Sequence, residues 1–146
     1  MNSKDYLMRY NESVKKIRCG EEQIKFLKDL YNDIDEKLVN CGVSKKIRED
    51  CLKKCRSETT KVRNKVVRSI NENMTALNDI YSVINKVENP DYAQFLTYKY
   101  INGYTYDEIE ELMYISRTCL FDINREALSR VQELITEKNK DKIYMS

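Results

Sequence analysis

From Tyr10 to Leu38 apolar side chains recur mostly in three- and four-residue steps: Tyr10, Val14, Ile17, Ile24, Leu27, Tyr31, Ile34 and Leu38, with one seven-residue gap at Glu21. An α-helix turns this spacing into a single stripe, because about 3.6 residues complete each turn. A helix over residues 4–38 is about 50 Å long at about 1.5 Å per residue. No short element covers such a length, so the stripe requires a second long helix. The spacing returns as Val62, Val66, Ile70, Met74, Leu77, Ile80 or Tyr81, Ile84 and Val87, running from Lys61 to the Asn89-Pro90 step. A second helix therefore folds back on the first as a long antiparallel helical hairpin or coiled coil, with Gly42 as the stop of the first arm. The stripe is a packing seam. Periodicity leaves open whether it closes within one chain or between two, and the small remainder of the chain favours a homodimer.

Composition points the same way. Three glycines and one proline in 146 residues supply too little turn chemistry for a many-stranded sheet. The fold class is all-α. Charged residues make up 34% of the chain, no apolar run approaches a membrane span, and the polar start Met1-Asn2-Ser3-Lys4-Asp5 is unlike a signal peptide. A cytoplasmic protein without a membrane partner is expected. The absence of histidine removes the Ser-His and Cys-His nucleophile pairs, and the scarcity of glycine removes a phosphate-cradling loop. Neither an enzyme nor a cofactor is expected. Cys19, Cys41, Cys51, Cys55 and Cys119 form an odd set without paired-finger spacing and read as reduced thiols. Cys51 and Cys55 share a helical face, but two thiols alone do not make a metal site.

The net charge of +2 conceals a partition. Residues 43–70 hold ten basic and three acidic side chains, whereas residues 71–113 hold two and eight. The segment 43–60 is so basic and so weakly periodic that helix and loop both stay open there. Lys45, Lys46, Lys53, Lys54, Arg56, Lys61, Arg63 and Lys65 are candidates for non-specific contacts to DNA phosphate. A solvated charged face fits them equally well.

The remainder, residues 89–146, reads as a separate domain after the hairpin of residues 1–88. Asn89-Pro90-Asp91 supplies a cap, a proline at the first helical position and an early acid. A helix Tyr92 to Ile101 with Phe95, Leu96 and Tyr100 inside then stops at Asn102-Gly103. Thr105-Tyr106-Asp107-Glu108 is a capping box opening a helix with Ile109, Leu112 and Met113 inward. After the break Met113-Tyr114-Ile115, Ser116 caps a third helix. Leu120, Ile123, Ala127, Leu128 and Val131 lie on one side of it, and Arg117, Thr118, Phe121, Asp122 and Arg125 on the other. A short helix, a tight turn and a longer helix are the layout of a helix-turn-helix. Arg117 can fork onto guanine, Thr118 can meet a base edge or a thymine methyl, and Asp122 can accept from cytosine. Arg125 and the helix N-terminus suit phosphate.

The run from Phe95 to Ile109, with Ser116-Arg117-Thr118-Cys119-Leu120 and Arg125-Glu126-Ala127-Leu128, resembles region 4 of sigma factors. It looks still more like the phage and prophage regulators of the ArpU type, which also place a helical, coiled-coil-like segment and an Asn-Pro or Asp-Pro step before the module. The resemblance implies a sequence-specific transcriptional regulator acting on double-stranded DNA, activating late or packaging genes. By position it makes Arg117, Thr118 and Asp122 the base readers. Ser116, Cys119, Phe121 and Arg125 flank them toward groove and backbone. Cys119 and Phe121 depart from the basic residues usual at such flanks, so the module alone binds DNA weakly. Three other readings remain: a compact sigma-like factor with core RNA polymerase as its partner, a DNA-packaging adaptor like a phage small terminase, and an interaction protein that binds no nucleic acid.

Overall fold

In the computed structural model, residues 1–145 are described, with side chains for residues 1–143, and they form an all-helical chain. Two long helices, α1 (Ser3–Asn40) and α2 (Lys45–Asn85), precede α3 (Pro90–Leu96), a π-helical turn (Thr97–Ile101), α4 (Tyr106–Met113) and α5 (Arg117–Met145). No described helix is long and apolar enough to cross a membrane.

The basic stretch left open by periodicity is helical. α2 begins at Lys45 rather than Lys61, because Ser44 supplies a cap: its Oγ accepts from the Ile47 N–H at 3.3 Å. The stop between α1 and α2 falls at Gly42, whose φ of 69° is the left-handed conformation that glycine adopts without a Cβ penalty.

The chain divides into two compact units, one of residues Met1–Ser13 with Thr75–Ser146 and the other Val14–Met74. They part inside the two long helices. The second unit contains most of α1 and α2. In it Asp35 accepts from Arg48 at 2.7 Å, the Tyr31 hydroxyl accepts from Arg56 at 2.8 Å, and Gly20 lies against Val66 and Ile70. Partners step backward along α2 as they step forward along α1. A Cβ on Gly20 would fall 2.8 Å from Ile70 Cγ1, so that position admits no side chain without displacing its neighbour. Gly20 is the one buried position among this unit's described residues. Val14, Ile17, Ile24, Leu27, Tyr31, Ile34 and Leu38 are each half-buried.

The first unit holds the hydrophobic core. Tyr6 and Leu7 of α1 and Ile80, Val83 and Ile84 of α2 join Val87, Phe95, Leu96, Tyr100, Ile109, Leu120, Ala127 and Val131. The ends of the long helices are therefore part of the globule that carries α3 to α5. Polar ties surround this core. Tyr6 donates to Asp79 at 2.9 Å, and Asp79 also pairs with Lys138. Arg130 grips Glu88 through two hydrogen bonds of 2.6 and 3.0 Å and holds that carboxyl below the usual glutamate range. The buried Tyr100 phenol donates to Asn124 at 2.9 Å, and burial pushes its pKa up to about 12. The Tyr100 carbonyl lies in the π-helical turn and accepts from the Asn11 side chain at 3.3 Å.

Candidate nucleic-acid interface

Local capping explains why the last three helices start where they do. Asn89 accepts from the Asp91 and Tyr92 N–H groups at 3.0 and 3.4 Å, with Pro90 in the first turn. The helix expected over Tyr92 to Ile101 is thus α3 followed by the wider π-helical turn. At α4 the capping box is complete. Thr105 Oγ1 accepts from the Glu108 N–H at 3.3 Å, and Glu108 Oε1 accepts from the Thr105 N–H at 3.4 Å.

α4 ends at Tyr114, in the left-handed conformation (φ 57°, ψ 39°), whose N–H donates to the Glu110 carbonyl at 2.9 Å. Two residues later Ser116 Oγ accepts from the Cys119 N–H at 3.4 Å at the start of α5. Ile109, Leu120, Ala127 and Val131 are fully buried between these elements. Leu112, expected inward, is 48% exposed. An α-helix places it about 60° behind Ile109, while Tyr106, Ile109 and Met113 share the covered arc on the other side.

Ser116, which caps α5, and Arg117, Thr118, Cys119, Phe121, Asp122 and Arg125 on α5 are all exposed. Their charges are already engaged. The Arg117 guanidinium is hydrogen-bonded to Asp107 and lies 3.3 Å from Glu110 Oε1, both on α4. Arg125 donates to Asp122 at 3.1 Å. The Phe121 ring is half in water and meets Tyr106 edge-on at 5.0 Å, while Lys99 lies 4.6 Å above the Tyr106 ring. With Asp107 and Glu110 of α4 beside Arg117 and Asp122 beside Arg125, this face is acidic and partly apolar around its two arginines. A polyanion reaching it must exchange carboxylate partners for its own phosphates or base edges.

The eight basic candidates of the middle segment all lie on α2 and are exposed. They are not equivalent. Lys45 stands 4.0 Å from Glu49, and Arg56 lies 5.5 Å over the Tyr31 ring as well as bonding its hydroxyl. Lys46, Lys53, Lys54, Lys61, Arg63 and Lys65 have no ion-pair partner among the described residues. Arg68, outside the set expected from the sequence, is exposed and equally unpaired among the described residues. The signal was available: Arg68 follows Lys61 by seven residues and Lys65 by three. Among the described residues no three Cys, Asp or Glu side chains converge as a metal would need.

A family model described as a protein of unknown function, DUF1492, matches residues 32–132, more than half of the chain. The chain belongs to the DUF1492 family. The DUF1492 match runs from the last turns of α1 through α2, α3 and α4 into α5. It therefore takes in the basic residues of α2 and the seven exposed positions from Ser116 to Arg125. No curated protein and no solved structure matches the chain.

Proposed function

We propose that this DUF1492 protein is a sequence-specific DNA-binding transcriptional regulator of phage or prophage type, in which α4 and α5 act as a helix-turn-helix. The observation that carries this reading is local. A fully capped eight-residue α4, a three-residue connection that opens on the left-handed Tyr114 and a long α5 with an exposed, serine-capped start have the layout of such a motif. The resemblance of the same residues to sigma region 4 and to ArpU-type regulators supports it and supplies the biological role, activation of late or packaging genes. Arg117, Thr118 and Asp122 are the base-reading residues of this proposal. Ser116, Cys119, Phe121 and Arg125 flank them.

The working form is a homodimer joined through the long helices. In its favour, no large side chain of the apolar seam of Val14–Met74 is fully buried, and a second copy is the partner of matching pattern.

Selection from a random DNA library at about physiological salt, with molar mass from light scattering in the same buffer, tests the reading. A discrete motif with two half-sites and a dimer mass is the expected result. Arg117→Ala is expected to cost about 1–3 kcal/mol on that motif and little on random DNA. Absence of any enriched sequence overturns the proposal. A ring-sized mass with no motif instead supports the packaging-adaptor reading.

A further inference from the structure

The acidic surroundings of Arg117 leave an affinity question that α2 answers. Because α2 is one continuous helix from Lys45, the basic residues of its first half take fixed angular positions at about 100° per residue. Lys46, Lys53, Lys54, Lys61, Lys65 and Arg68 fall within about a third of the circumference. All six are exposed and free of ion pairs among the described residues. The half-buried Arg48, Leu52, Cys55, Thr59, Val66 and Ile70 lie on the opposite side, where Arg48, Val66 and Ile70 meet α1. Lys45, Arg56 and Arg63 form a different line, beside the seam. The outer stripe also carries Asp50, with Ser57 and Asn64 between the lysines, and from Lys46 to Arg68 it is about 33 Å long.

We infer that this outer stripe of α2 is a second DNA-contacting surface, a rigid row of cations that lies on the phosphates of about one turn of duplex without reading sequence. The inference rests on the DNA-binding reading above and deepens it. A turn of B-DNA is about 34–36 Å, close to the length of the stripe, and a helix cannot bend to follow a flexible strand. The stripe has no aromatic ring on which unstacked bases could sit, as surfaces for single strands have. A membrane-lying helix needs its apolar face free, and here that face is turned toward α1. Lysines interleaved with Ser57 and Asn64 suit phosphate oxygens. The stripe supplies the counterion release that the carboxylate-ringed arginines of α5 do not.

The test uses the full chain and a random-sequence duplex of about three helical turns, so it needs no specific site. Binding is followed against salt for two triple variants that remove equal charge: Lys54→Gln/Lys61→Gln/Lys65→Gln on the stripe and Lys45→Gln/Arg56→Gln/Arg63→Gln beside the seam. The stripe variant is expected to bind at least about tenfold more weakly at about 0.1 M salt, its log–log salt slope falling by about 0.9 per lost contact. The seam-side variant is expected to keep both. Equal losses in the two variants, or none in either, overturn the inference. So does a stripe variant that loses binding to single-stranded DNA or to anionic vesicles while keeping the duplex. Failure of the regulator reading looks different: the library yields no motif and Arg117→Ala changes nothing, while the stripe dependence on random duplex stands or falls separately.

Discussion

Tyr114 spends conformational energy without burying its ring. It holds a left-handed backbone conformation and is 92% exposed, and an L residue there costs on the order of 1 kcal/mol. Tyr114→Gly is therefore expected to raise the stability of this region by about 1 kcal/mol, seen as a higher melting temperature. A lower one would show that the phenol packs against something essential. The same connection shows what residue-level reading misses. Thr105, Glu108, Ser116 and Asn89 were legible as caps because each offers an oxygen at a fixed offset from an unpaired N–H. The engagement of Arg117 by Asp107 and Glu110 was not, since those carboxylates come from a neighbouring helix whose approach no local spacing encodes.

At the level of single helices, α4 and α5 offer a paired comparison. Leu120 is fully buried, so Leu120→Ala is expected to destabilise the protein by about 2–5 kcal/mol through the cavity it leaves. Leu112→Ala is expected to change stability by less than about 0.5 kcal/mol, because half of that side chain already meets water. Chemical denaturation of both variants checks the pair, and comparable losses would contradict the phase of α4. Helix length sets how well such phases can be read. Over the many turns of α1 and α2 the apolar stripe averages out local exceptions: the α1 seam is half-buried from Val14 to Leu38, although Val62 and Met74, placed in the seam by spacing, are about half exposed on α2. Over the two turns of α4 a single apolar outlier shifts the apparent face. The start of α2 was hidden for the opposite reason: between Lys45 and Thr60 nearly every exposed position is charged or polar, and charge carries no helical period unless both faces are known.

For the chain as a whole, the large buried side chains are confined to the unit that joins the ends of the long helices to α3, α4 and α5. Residues Val14–Met74 bury no large side chain completely, and local stability follows buried contact. Their amides are expected to exchange faster than those around Phe95, Ile109 and Leu120 in dilute solution, and to gain protection as protein concentration rises and a second copy covers the seam. Protection independent of concentration would contradict a dimer joined through these helices. The sequence, through spacing and caps, revealed both long helices, the second only from Lys61 onward, and the starts of α3, α4 and α5. It did not reveal that Tyr6 and Leu7, at the extreme start, pack with helices some ninety residues later, because a long-range contact leaves no periodic trace. Gly20 bears on how such an arrangement can change. Where Val66 and Ile70 press into the place of its missing side chain, the two long helices are indexed against each other like a key against a notch. A residue inserted between Gly20 and Val66 on one arm alone would carry a side chain into that notch, so from this contact to the turn at Gly42 the arms keep their match only by lengthening or shortening together.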